Sequence, residues 1–232
     1  MDVKDTKLRF SSAPWFETVS KFTVTICGVG GIGSNGAEDI AALGVKRIIL
    51  IDPQTVETVN LAGQNYTIDD VGLPKVTAVA NRINKVAPTV TVIASPTLVT
   101  DNTLLSKITF CCFDNMEARR IACDNWVKRN RGVPNSFFCD CRLGAPTAQL
   151  YSFLGTDEAA IDRYYQEGLF SSEEAEPTIC TFKQTKYMAH IIGGLMADTL
   201  VSYAMKLNNK FVQIPFYREY DSPSQHYVWR RA

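Results

Sequence analysis

At 232 residues the chain has the length of one domain with a full core, and its 46% apolar content is ordinary for a soluble protein. The 24 basic and 24 acidic residues cancel, so nothing points to electrostatic capture of nucleic acid or of an anionic membrane. No basic, apolar, cleavable leader precedes the first strand-like run, and the seven cysteines include no C-x-x-C pair. These features predict a cytoplasmic protein with free thiols and no zinc site, with Cys139-x-Cys141 structural.

Residues 1–21 form a polar arm carrying an aromatic knot at Phe10, Trp15 and Phe16, which the sequence expects to pack on the core or on a second subunit. Phe22 to Cys27 is a buried strand, followed by Gly28-x-Gly30-x-x-Gly33, a helix from Gly33 to Leu43, and a second strand from Lys46 to Ile51 ending on Asp52. A glycine turn between strand and helix serves three local needs: a tight turn, close approach of backbone to phosphate, and close packing of helix on strand. The first amides of the helix, near Ser34, then face an anion, and Asp52 is placed to accept from ribose hydroxyls. The polar stretch from Pro53 to Leu73 is long for a loop in a compact domain, and loops of that length are often functional. Pro74 opens a helix from Lys75 to Val86.

Further along, the reading gives a strand at Val90 to Ala94, a short helix at Thr100 to Ser106, and a buried strand at Ile108 to Phe113 ending on Asp114-Asn115. The helix from Met116 to Lys128 is read with Arg119, Arg120, Asp124 and Lys128 mostly outward. Strands are read at Ser136 to Cys139 and Ala148 to Phe153, and the stretch from Thr156 to Pro177 is acidic. A core helix follows at Tyr187 to Met205, too interrupted by His190, Asp198 and Gly193-Gly194 for a membrane span. Phe211 to Pro215 and His226 to Trp229 close the sheet. The predicted class is α/β: a Rossmann-like open, mostly parallel sheet with helices on both faces and antiparallel strands at the C-terminal edge.

Three more motifs follow the glycine turn: Asp52-x-x-x-Val56-Glu57-x-x-Asn60-Leu61-x-x-Gln64, Asp70-Val71-Gly72-x-Pro74-Lys75, and Asp114-Asn115. In order and spacing they resemble the ThiF/MoeB/HesA adenylyltransferases, the family that includes the activating enzymes for ubiquitin-like proteins. The resemblance runs from about Phe22 to about Phe153 and more loosely onward. It implies a single adenylation domain over 1–232, with an arm at 1–21, a lid or cysteine-bearing segment at 154–185, and a C-terminal helix and edge strands at 186–232. It implies ATP with Mg2+, and attack of a carboxylate on the α-phosphate to give an acyl-adenylate. The partner implied is a ubiquitin-like or sulfur-carrier protein, activated at its C-terminal glycine, by a homodimeric enzyme. Lys75 is the cation for the phosphates, and outside this motif it would read as an ordinary helix-surface lysine. Asp114 holds Mg2+, Asn60 and Gln64 position phosphate oxygens, and Gly28, Gly30, Gly31, Gly33, Asp52 and Asn115 complete the nucleotide site.

Two positions complicate the resemblance. Where the family pattern has Asn-Leu-x-Arg-Gln, this chain reads Asn60-Leu61-Ala62-Gly63-Gln64, and one lost bidentate contact costs about 1.5–3 kcal/mol unless replaced. Arg9 from the arm of a second subunit is the candidate replacement, with Arg82 and Arg119 as alternatives. Glu176-Pro177-Thr178-Ile179-Cys180-Thr181 resembles the context of the thioester-forming cysteine, with Lys183 and Lys186 nearby to favour a thiolate. Stand-alone proteins of this type also share a segment like Asp140-Cys141-Arg142-Leu143-Gly144. A degenerate or non-catalytic nucleotide-binding protein, or an NAD-dependent oxidoreductase, are the other classes compatible with the glycine turn. The second lacks a hydride-transfer constellation among two histidines.

Overall fold

The computed structural model describes residues 10–144, 146–170, 185–209 and 211–231. An eight-stranded sheet runs in the order β3-β2-β1-β4-β5-β6-β7-β8. Its strands are β1 (Thr23–Cys27), β2 (Arg47–Ile51), β3 (Thr91–Ser95), β4 (Ile108–Cys111), β5 (Phe137–Leu143), β6 (Thr147–Leu154), β7 (Tyr217–Asp221) and β8 (His226–Arg230). Strands β1 to β5 pair in parallel and β5 to β8 antiparallel. This is the predicted Rossmann-like class. The helices are α1 (Phe16–Val19), α2 (Gly31–Ala42), α3 (Lys75–Val86), α4 (Met116–Asn130), α5 (Glu158–Arg163) and α6 (Lys186–Asn208).

Alternation along the strands builds a core on each face. Ile26, Ile48, Phe110 and Phe137 bury themselves under α2, α3 and α6. Cys111, Phe138 and Phe153 turn the other way and pack with Trp126 of α4 and Ile161 of α5. Close approach of α2 to α6 depends on small residues. A Cβ at Gly36 would lie 2.4 Å from Met196 Sδ, and one at Gly193 would lie 2.8 Å from Asn35 Cβ. By length and composition α6 could cross a membrane, yet half of its apolar window is buried in this packing. The aromatic knot is real, with the rings of Phe10 and Trp15 stacked at 5.6 Å. It sits on this chain's own α6, where Thr18 donates to Asn208 Oδ1 and Asn208 donates to the carbonyl of Pro14.

Three expectations shift. The helix begins at Gly31 rather than Gly33, because the turn ends at Gly30, its N-cap. No helix forms over Thr100 to Ser106: the backbone N–H of Thr100 bonds to Thr103 Oγ1, and Asn125 Nδ2 occupies the carbonyls of both threonines. Side chains thus satisfy the groups that helical bonds would have used. The seventh strand runs from Tyr217, not over Phe211 to Pro215, since Pro215 has no N–H to give a ladder. Within the long loop, two short 3-10 turns, Thr58–Ala62 and Ile68–Asp70, are held by reciprocal capping pairs, Glu57 with Asn60 and Thr67 with Asp70.

Candidate functional site

After β1 the chain builds β2 and β3 on one side, then crosses to β4 on the other, so β1 and β4 flank the point where strand order reverses. Ligands of open α/β sheets lie in the crevice at the carboxyl ends of such strands. Cys27, Ile51 and Cys111 share a level across β1, β2 and β4, which brings the glycine turn, Asp52 and Asp114 to one end of the sheet. Gly28 has φ 85°, and a Cβ there would lie 3.0 Å from the Cys112 carbonyl oxygen. A Cβ at Gly33 would lie 2.0 Å from the Gly28 carbonyl oxygen, closer than atoms can approach. Gly30 caps α2 without a side-chain bond, so the first amides of the helix, from buried Gly31 onward, have no intrahelical acceptor.

Asp52 is 6% exposed and holds the turn from below, accepting from Val29 N and Gln54 N, both at 2.8 Å. Each oxygen retains a second acceptor direction. The long loop is bound to the same turn. Tyr66 Oη donates to the Val29 carbonyl at 2.5 Å, and Asn65 N donates to Ser34 Oγ at 3.1 Å. Burial raises the Tyr66 hydroxyl well above its ordinary pKa, with Asp52 adding to the effect. Neither Tyr66 nor Gln54 was identified from the sequence as part of the site. A tyrosine inside a polar loop was the available signal for the first, and the second had none.

Lys75 departs from the surface lysine that its sequence position alone suggests. It is 4% exposed, and its ammonium donates to Gln54 Oε1 at 2.7 Å. Among the described residues it forms no ion pair. An ammonium has three donors and a charge, and burying both without a counter-ion is unfavourable. Gln64 lies beside the glycine turn, its amide 3.9 Å from where a Gly30 Cβ would be, and its buried Oε1 has no partner among the described residues. Asn60 contributes Oδ1 to the Glu57 amide at 2.9 Å. Gly63 caps the 3-10 turn between them.

Neither alternative arginine is available to replace the one absent at Gly63. Arg82 bonds to Asp70 at 2.9 Å and to the Asn65 carbonyl, with Glu38 at 3.8 Å. Arg119, expected to face outward on α4, is 5% exposed and turned inward onto Asp140 and the carbonyls of Phe113 and Cys141. Asp114 is exposed past the end of β4, with the Asn115 amide 3.3 Å from its Oδ1. Asn115 itself caps α4 by accepting from Ala118 N at 2.8 Å. No group of three or more His, Cys, Asp or Glu clusters as a metal site among the described residues. A lone carboxylate fits Mg2+, which takes one or two protein carboxylates and completes its shell with water and substrate phosphate.

Cys27, Cys111, Cys112, Cys123, Cys139 and Cys141 are buried free thiols. Burial pushes those of Cys27 and Cys123 up to about 12, which leaves them protonated and inert at neutral pH. Cys180 and Arg9 lie outside the described residues.

The ThiF family matches the chain over residues 5–232. Among curated proteins, the tRNA threonylcarbamoyladenosine dehydratase of Bacillus subtilis (strain 168) is 40% identical over 88 residues, covering 38% of this chain and 35% of the relative. Ubiquitin-like modifier-activating enzyme 5 of Culex quinquefasciatus is 30% identical over 137 residues, covering 49% and 34%. The chain therefore spans about a third of the length of either relative. Among solved structures, PaaA superposes with a TM-score of 0.72 at 16% identity, covering 99% of this chain and 81% of that one. Escherichia coli MccB, solved with ATP, superposes with a TM-score of 0.68 at 16% identity, covering 94% and 65%. At such identity the structural likeness is one of fold.

Proposed function

This chain belongs to the ThiF family, and from that premise we propose that it uses ATP to adenylate the C-terminal carboxylate of a ubiquitin-like or sulfur-carrier protein. One observation carries the reading: Lys75, buried and without a counter-ion among the described residues, bonds Gln54, whose backbone amide shares Asp52 with the glycine turn, and the first amides of the helix after that turn have no intrahelical acceptor. Both call for a polyanion. Gln64 Oε1 calls for a donor at the same turn, and a ribose hydroxyl supplies one. Turned over, the same amide offers Nε2 to a phosphate oxygen, as the motif implies.

In the proposed reaction a carboxylate oxygen of the carrier forms a bond to the α-phosphorus of ATP, the bond to the β-phosphate oxygen breaks, and pyrophosphate leaves. The attacking carboxylate is already ionised at neutral pH, so no general base is needed. What the protein contributes is position and charge neutralisation. Lys75 and the α2 amides hold phosphate, Asp52 holds the ribose, and Gln64 and Asn60 orient the chain of phosphates. Asp114 would hold Mg2+, which neutralises charge on the departing pyrophosphate. Cys180 is the candidate acceptor of a following step, in which its thiolate attacks the acyl carbon and AMP leaves. Arg9 of a second copy is the candidate substitute for the arginine absent at Gly63.

The test is carrier-dependent ATP–pyrophosphate exchange, with Lys75→Ala as control. Exchange in the wild type and its loss in the variant support the reading. The glycine at Gly63, with Arg82 and Arg119 both engaged elsewhere, favours a second reading, a nucleotide-binding protein without turnover. That reading predicts ATP binding and no exchange with any carrier. No exchange alongside tight NAD(H) binding overturns both. If Cys180→Ala leaves a reducible protein–carrier adduct intact, the thioester step is wrong. Exchange recovered on mixing Arg9→Ala with Lys75→Ala protein is predicted only by a site shared between two copies.

A further inference from the structure

Asp140 has no role in the reaction above, yet it is 0% exposed and sits on β5 opposite Cys111, one strand from the crevice. It accepts from Arg119, from Arg142 Nε at 2.7 Å, and from Tyr164 Oη at 2.9 Å. Each arginine reaches on to backbone elsewhere. Arg119 donates to the carbonyl of Phe113, and Arg142 to that of Gly168. Tyr164 and Gly168 are the two ends of a single π turn, packed so closely that a Cβ at Gly168 would lie 2.5 Å from Tyr164 Cδ2. One carboxylate thereby fastens that turn, through two donors, to the end of β4. Such π turns are uncommon and are often found at functional sites.

The end of β4 is where fastening matters. The ladder of β4 ends at Cys111, Cys112 N still donates to the Cys27 carbonyl at 2.7 Å, and beyond it the Phe113 carbonyl is held by Arg119 instead. The Phe113 ring lies 3.1 Å from where a Gly28 Cβ would be, and Asp114 is the next residue. Asp114 is exposed, forms no ion pair among the described residues and accepts from the amide of adjacent Asn115 at 3.3 Å, so its direction follows the backbone that carries both.

We propose that Asp140, through Arg119, and Tyr164, through Asp140, are positioning residues that aim Asp114 at the metal of a bound nucleotide. The inference rests on the adenylation reading, in which Asp114 meets Mg2+. It makes the Asp140 network a determinant of how much Mg2+ strengthens nucleotide binding, rather than of nucleotide binding as such.

Equilibrium titration of a fluorescent ATP analogue, in saturating Mg2+ and in EDTA, separates the two. Tyr164→Phe removes one hydroxyl and keeps both ion pairs, so the fold survives, and thermal unfolding of the same samples checks it. Its affinity in Mg2+ is expected to fall about fivefold, as for residues sharing one network, with the EDTA value unchanged. Asp140→Asn is expected to lose more in Mg2+, and where that variant does not fold, Tyr164→Phe decides. In an Asp114→Asn background the effect of Tyr164→Phe should vanish. Equal losses with and without Mg2+, no loss at all, or a loss that persists in the Asp114→Asn background overturns the proposal. A wild type that binds no nucleotide in either condition overturns the adenylation reading itself, and this proposal with it.

Discussion

On the β1–α2–α3 side of the crevice, polar groups are buried without full partners. Among the described residues Lys75 has one neutral acceptor and Gln64 Oε1 has no partner, and the first amides of α2 have no intrahelical acceptor. On the β4–β5 side, Asp140 is buried more deeply and yet has three donors, whose arginines go on to bond three backbone carbonyls. Burial opposes the charge on Arg142, but the groups around it, Asp140 foremost, together outweigh this and hold the guanidinium above its ordinary pKa. The difference separates what binds from what holds. A group that a ligand will satisfy is unpaired in its absence and weakens the empty fold, whereas a group that aims others must be satisfied at all times.

The comparison is most exposed to test where the expected effect is largest. Asp140→Ala leaves two buried guanidiniums without their carboxylate, and removing one partner of a buried pair costs about 3–5 kcal/mol. Chemical denaturation should show a loss of that size. A change below about 1 kcal/mol would mean that water already reaches the cluster, and the two sides would no longer differ in kind. Next is Gly33→Ala. Its new Cβ would fall 2.0 Å from the Gly28 carbonyl oxygen, so the turn must open. A stability loss of about 1–3 kcal/mol is expected, together with loss of nucleotide binding. A stable variant that still binds ATP would show that the turn has slack and that the close packing is not required.

The two sides were also unequally legible in the sequence. The glycine turn states a backbone requirement in six consecutive residues, and strand, helix and Asp52 follow in register, so that half was readable almost to the residue. The Asp140 network joins residues 21 and 24 apart in sequence through a parallel strand pair, a helix and a π turn. No periodicity encodes such a junction. Charge patterning even pointed the other way, since an arginine on an amphipathic helix reads as solvent-facing until its carboxylate partner is found. Lys75 was placed correctly by its motif, but its burial was not visible, because it depends on the long loop returning over the start of α3 through the Thr55–Pro74 bridge. The strand misplaced at Phe211 and the helix misplaced at Thr100 fail for a local reason: side-chain caps and a proline outweighed hydrophobic pattern.

The smallest expected effects are the most discriminating, because their sign reverses. Lys75→Met removes a buried unpaired charge, and Gln64→Leu removes a buried acceptor without a partner. Each should stabilise the nucleotide-free protein, by about 1 kcal/mol for the lysine and less for the glutamine. ATP with Mg2+ should invert the order. At a hundred times its dissociation constant, a ligand that binds only the folded state adds about 2.7 kcal/mol, and the wild type should receive that in full. Variants that have lost phosphate or ribose contacts should receive less, so in the presence of ATP both fall below the wild type. Thermal unfolding with and without ATP measures this crossing directly. Variants that are less stable than the wild type even without nucleotide would show that Lys75 and Gln64 serve the fold, and the unpaired side of the crevice would then have no claim to be the binding side.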